Sequence, residues 1–163
     1  MYKMNMSFTI DLPNEYCSEQ FAARLAACLT VPLTLTFSGE IGSGKTTMIR
    51  AMLKALGVCS TIKSPTFSLI ESYSVSDLQV HHFDLYRIQD ETELDYLGFR
   101  DYFSDNTICV IEWPERASCY LEQVDVEFTL SMKGEGRALH ANTYSAHGSK
   151  LMTSLAGEWC ICN

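Results

Sequence analysis

Residues 39–46 read Gly39-Glu40-Ile41-Gly42-Ser43-Gly44-Lys45-Thr46 and satisfy the phosphate-cradling pattern GxxxxGK(S/T) at every fixed position. A triphosphate needs many donors, little bulk and a positive end. Gly39, Gly42 and Gly44 let the main chain turn tightly and aim its N–H groups inward, and the helix that follows offers its positive N-terminus to the anion. Lys45 is the side chain that reaches the β- and γ-phosphates, and the Thr46 hydroxyl is the ligand for Mg²⁺. The rival is a glycine-rich turn with a solvated lysine, and the flanks argue against it. Leu33-Thr-Leu-Thr-Phe37 alternates like a strand, and Thr47 to Leu56 carries apolar residues at Met48, Met52, Leu53 and Leu56 before Gly57. The order is strand, loop, helix and glycine stop.

Outward from the loop, 163 residues are one domain's worth, large enough to bury a substantial core without disulfides or metals. We expect a single domain over residues 1–155 and a C-terminal tail over 156–163. No run approaches the roughly 18 apolar residues of a membrane span, and the N-terminus lacks the basic start and apolar stretch of a secretory signal. A cytoplasmic location is the expectation. Seven cysteines at irregular spacing fit reduced thiols better than a disulfide framework. Only Cys160 and Cys162 are close-set, and no second pair completes a four-ligand metal site.

The net charge of −8 is concentrated, because residues 71–127 hold fourteen Asp/Glu against three Lys/Arg. Such a surface repels a phosphate backbone, so the macromolecular partner expected there is another protein. The plain alternative, acids on a solvated surface, accounts for most of them.

Ser7 to Leu12 alternates like a strand, and Ser18 is the expected N-cap of a helix through Leu29. Phe67 to Tyr73 and Val80 to Leu85 read as an antiparallel hairpin, Glu91 to Leu97 as a short helix, and Thr107 to Ile111 as a strand buried on both faces. Pro114 to Leu121 suits a helix with proline in its first turn. Strands at Val124 to Met132 and Ala138 to Ser145, then a helix from about Lys150 to Leu155, complete the chain. The fold class that follows is α/β: a three-layer, P-loop NTPase-like sandwich with a mixed parallel and antiparallel central sheet.

Hydrolysis needs a carboxylate for Mg²⁺ and water, and open α/β sheets bind ligands at the carboxyl ends of their strands. Glu112 directly follows the most apolar strand, and Asp84 follows Val80-His-His-Phe83. Either acid alternatively caps the next element. Adjacent His81 and His82 leave a strand on opposite faces, so they read as packing or surface residues. Trp113 either shields the site or packs in the core, with core packing preferred.

Four motifs in this order resemble the TsaE (YjeE) family: Gly39 to Thr47, Lys63-Ser-Pro-Thr-Phe67 with Tyr73, His82-Phe-Asp-Leu-Tyr-Arg87, and Ile111-Glu-Trp-Pro-Glu115. The likeness runs from about Ser7 to Leu155. It implies a bacterial P-loop ATPase needed for threonylcarbamoylation of tRNA adenosine-37, with ATP and Mg²⁺ as ligands. In that family the transfer chemistry belongs to the partner proteins TsaD and TsaB, and tRNA is engaged only indirectly through that complex. Residue by residue, it implies that Gly39, Glu40, Ile41, Gly42, Ser43, Gly44, Lys45, Thr46 and Thr47 bind phosphate, with Mg²⁺ held by Thr46, Glu112 and Asp84. Lys45, Asp84, Glu112 and Thr66 are the implied catalytic residues, with Thr66 sensing the γ-phosphate from a switch-like Ser64-Pro-Thr66. Arg137 matches an arginine that approaches the nucleotide, a surface arginine being the equal rival, and Asn14 to Ser18 matches the flank of the adenine. Glu40-Ile41 and Ser43 depart from the family's common Asp-Leu and Ala, which leaves the backbone donors untouched. Hydrolysis is expected to be slow alone and stimulated by partners. The alternatives are a small-molecule kinase on the same scaffold and a nucleotide-locked assembly module in which hydrolysis is incidental.

Overall fold

The computed structural model of the chain describes residues 5–159. Seven strands form one sheet: β1 (Ser7–Leu12), β2 (Leu33–Ser38), β3 (Ile70–Val75), β4 (Leu78–Asp84), β5 (Thr107–Glu112), β6 (Val126–Lys133) and β7 (Gly136–Thr143). Their spatial order is β1-β7-β6-β2-β5-β4-β3. The central four, β6-β2-β5-β4, are parallel, and the edges are closed by antiparallel pairs. This is the mixed sheet expected from the sequence.

The residue alternation along each strand decides what covers each face. On one face, Leu35 and Phe37 of β2, Val110 of β5 and Phe128 of β6 meet helices α1 (Glu15–Cys28), α2 (Lys45–Leu56) and α4 (Ala146–Trp159) in one buried cluster. On the other face, Phe83 of β4 with Cys109 and Ile111 of β5 pack against Leu94, Phe99 and Ala117. These come from the short α3 (Glu93–Tyr96) and from 3₁₀ turns at Phe99–Tyr102 and Pro114–Ala117. β5 is therefore buried on both sides, as its apolar run predicts. Over β6 the second face instead carries Glu127, Thr129 and the exposed Ser131, the polar half of a two-residue alternation. The sandwich is three layers deep around β4 and β5, and two layers deep over β6.

Several boundaries move for physical reasons. The cap of α1 is Asn14, not Ser18, because the Asn14 Oδ1 accepts the Cys17 N–H at 2.9 Å, the N3 donor a cap is placed to satisfy. The first hairpin strand begins at Ile70 and not Phe67, since Leu69 has φ 65° and its N–H closes a turn onto the Pro65 carbonyl at 2.7 Å. The helix expected over Pro114–Leu121 is one 3₁₀ turn. Conversely α4 is longer than expected and runs through Trp159, past the boundary drawn at residue 155. The Cys160 and Cys162 pair lies outside the described residues.

Candidate functional site

Strands β2, β5 and β4 end side by side, with Phe37 and Asp84 both in register with Glu112. The glycine loop leaves β2 at this edge and runs directly into α2. Gly39 has φ 136°, and a Cβ there would stand 2.3 Å from the Leu130 carbonyl oxygen. Gly44, with φ 99°, is the left-handed residue that turns the loop into α2. No other residue type meets both requirements at low cost.

Three side chains gather inside the loop. The Lys45 ammonium donates to the Gly39 and Glu40 carbonyls at 2.7 and 2.8 Å and reaches the Ser43 Oγ at 3.4 Å. It also lies 4.6 Å from the centre of the Trp113 ring, within cation–π range. Burial pushes its pKa below the ordinary lysine value, against the opposing fields of Glu112, Asp84 and Glu115. The Thr46 hydroxyl donates to both carboxylate oxygens of Glu112, at 2.9 and 2.8 Å. Glu112 is only 2% exposed. Asp84, also buried, accepts the Thr66 hydroxyl at 3.2 Å on Oδ2 and the Tyr86 N–H at 3.1 Å on Oδ1. The Thr66 hydroxyl in turn meets the Ser64 Oγ at 2.7 Å.

The structure thus brings Lys45, Thr46 and Glu112 together, and ties the 64–66 segment to Asp84. Arg137 lies against the glycine loop. Its Nε donates to the Ser43 carbonyl at 2.6 Å, and its terminal nitrogens reach the Gly136 and Gly42 carbonyls at 2.9 and 3.4 Å. It braces the loop's main chain. Ile41 is 71% exposed at the loop tip, and Thr47 is exposed on the first turn of α2. Beside Gly44 opens a cleft of 240 Å³, bordered by Asn14, Glu15, Ser18, Thr47, Glu135 and Arg137 among others.

Two residues behave otherwise than expected. Trp113 leaves the sheet with φ 58° and lies half-buried between Lys45 and the Tyr86 ring, 5.0 Å away, so it walls the site while also packing against the second core cluster. His82 is 1% exposed and its Nε2 lies 2.8 Å from the Glu112 Oε1, which makes it part of the site. The strand period puts His82 on one face with Asp84 two residues on, but only the pairing of β4 with β5 brings it to Glu112. His81 does pack as expected, edge-on to Tyr102 with its Nδ1 2.7 Å from the Ser72 hydroxyl.

Fold and site together define a mixed α/β sandwich with a glycine-rich loop, a lysine and two buried carboxylates at its parallel edge. The profile of the family described as "Threonylcarbamoyl adenosine biosynthesis protein TsaE" matches residues 12–139, and the chain belongs to that family. It is 31% identical over 155 residues to the tRNA threonylcarbamoyladenosine biosynthesis protein TsaE of Haemophilus influenzae, covering 92% of this chain and 98% of that protein. To the protein of the same name from Bacillus subtilis it is 32% identical over 129 residues, covering 78% and 79%. The crystal structure of Bacillus subtilis YdiB superposes with a TM-score of 0.77 at 23% identity, covering 96% of this chain and 99% of that one. Its fold is the fold described above. Among the described residues no helix is long and apolar enough to cross a membrane.

Proposed function

We propose that this chain is a P-loop NTPase that binds Mg²⁺-ATP, hydrolyses it slowly alone, and supports threonylcarbamoylation of tRNA adenosine-37 together with TsaB and TsaD. The observation that carries the reading is the Thr46 hydroxyl held against the Glu112 carboxylate at the mouth of the glycine loop. Its donor set is hard oxygen, with Asp84 in register beside it. That suits Mg²⁺, which is ordinarily held by one or two carboxylates together with substrate phosphates and water, not by an all-protein cage.

The chain's own residues divide the work. The main-chain donors of residues 39–46 and the positive end of α2 bind the phosphates. Lys45 gives up carbonyl partners for phosphate oxygens, regaining the charge stabilisation that burial takes from it. Thr46, donating its proton to Glu112, turns a lone pair toward the metal position. Glu112 and Asp84 hold metal or polarise the attacking water, and the Thr66 hydroxyl on Asp84 links this centre to the 64–66 segment. Mg²⁺, when bound, neutralises charge developing on the β- and γ-oxygens. The cleft bordered by Asn14 and Ser18 takes the adenine.

Slow intrinsic turnover follows from how the nearby arginines are used. Arg137 is engaged with loop carbonyls, and Arg87 lies over the Phe67 ring at 4.3 Å. An arginine supplied to the transferring phosphate is worth about 10³–10⁵ in rate. The test is to titrate ATP, ADP and GTP into the isolated chain, then measure hydrolysis with TsaB and TsaD added. Adenine nucleotides bind in preference, and turnover rises with the partners. Brisk turnover alone, unchanged by the partners, contradicts the coupling.

A further inference from the structure

Glu112 and Lys45 are near neighbours with opposite charge, and Glu112 is the strongest field supporting the Lys45 ammonium. Yet no ion pair joins them among the described residues. Each is held elsewhere, Lys45 by the Gly39 and Glu40 carbonyls and Glu112 by Thr46 and His82. A direct pair would be ruinous to the site proposed above. It would remove a phosphate ligand and a metal ligand in one contact.

We propose that His82 is a positioning residue that keeps Glu112 turned toward Thr46 and away from Lys45, so that the metal and phosphate positions stay separate. An ionised carboxylate only accepts, so the 2.8 Å contact requires that His82 carry its proton on Nε2. The opposite ring nitrogen agrees. Nδ1 is buried and meets no hydrogen-bond partner among the described residues. A bare acceptor lone pair there is tolerable, whereas a buried N–H with no partner is rarely found in native structures. His82 thus has one hydrogen-bond target, and its Nε2–H is the donor aimed at it. The strand geometry fixes that aim, because His82 stands on β4 opposite Val110 of β5, two residues before Glu112 on the same face. Thr46 then shares its single proton between both oxygens, and the carboxylate has no freedom to rotate. An outer residue of this kind orients the metal-binding group without touching the ion.

This inference rests on the Mg²⁺-ATP reading, and the experiment separates the two. Wild type, His82→Leu and His82→Gln are compared for the Mg²⁺ concentration giving half-maximal hydrolysis, for Mn²⁺ uptake by the ADP complex followed by electron paramagnetic resonance, and for ATP affinity. Leucine removes the donor. Glutamine can restore one at the Nε2 position. The expected result is a rise of about tenfold or more in the half-saturating metal concentration for His82→Leu in both readouts, weaker ATP binding as Lys45 is captured, and substantial recovery in His82→Gln. A folded His82→Leu with wild-type metal dependence overturns the role of His82 and leaves the ATPase reading standing. Wild-type protein that takes up no metal with nucleotide overturns both. Nitrogen-15 spectra of the wild-type histidines decide the matter even if the leucine variant does not fold. A proton on His82 Nε2 is expected before and after Mg²⁺-ATP is added, and an Nε2 without a proton overturns the proposal.

Discussion

Lys45 is buried with its charge, and that has a consequence in pH. Its folded-state pKa lies below the ordinary 10.5 because burial outweighs the acids around it. The ammonium is therefore lost earlier on the alkaline side than in a free lysine. ATP affinity should fall as pH rises through that lowered value, and binding there should take up a proton, because the triphosphate favours the charged form. Calorimetric titration in two buffers of different ionisation enthalpy measures that uptake, and binding with no proton exchange at alkaline pH would contradict it. Glu112→Gln should keep ATP affinity within several-fold while hydrolysis falls about 10²-fold or more, the usual scale for a lost acid–base or water-polarising group. Single-turnover kinetics checks this. At this scale Lys45, Thr46 and Glu112 could be read from sequence, since a fixed spacing and a run of four apolar residues, Ile108 to Ile111, mark them. His82 was not. Its neighbour His81 has the same chemistry, and only the pairing of β4 with β5 shows which of the two meets a carboxylate. Arg137 was named through the resemblance alone, and its brace on the loop stayed hidden because its targets are main-chain carbonyls, which no side-chain pattern announces.

The strand–loop–helix unit owes its shape to glycine as much as to its charged groups. Gly39→Ala places a methyl group 2.3 Å from the Leu130 carbonyl oxygen in a backbone region L-residues avoid. The strain alone is roughly 1–3 kcal/mol, so chemical denaturation should show lower stability and the loop should lose phosphate affinity. Asn14→Ala should cost about 0.5–2 kcal/mol through the lost cap of α1, read as a lower urea midpoint with an unchanged slope. Elements with a strong period were legible, β5 above all, where burial on both faces leaves no polar position to interrupt the run. The weak ones were not. Phe67 looks like the start of a strand but is 83% exposed, its ring covered by Arg87 and not by the core. The segment after Pro114 holds helical residues, yet Trp113 enters it with φ 58° and the chain makes only one turn.

Across the whole molecule, the deep core around β5 is the most protected region. The Cys109 thiol there is pushed up to about 12 by burial. Alkylation at neutral pH should modify it only at the rate of unfolding, while exposed Cys59 reacts at once, and mass spectrometry of labelled peptides distinguishes them. The site stands at the sheet's carboxyl edge, where the acidic 71–127 region and the glycine loop meet. In the proposed site the loop, Lys45 and the Thr46–Glu112 pair enclose a metal-bound triphosphate. Calorimetric titration of Mg²⁺-ATP into the wild-type chain and into Lys45→Ala tests it most directly. Saturable one-site binding that is lost in the variant is the predicted result; no saturable binding to the wild type, or equal binding to both proteins, would contradict it.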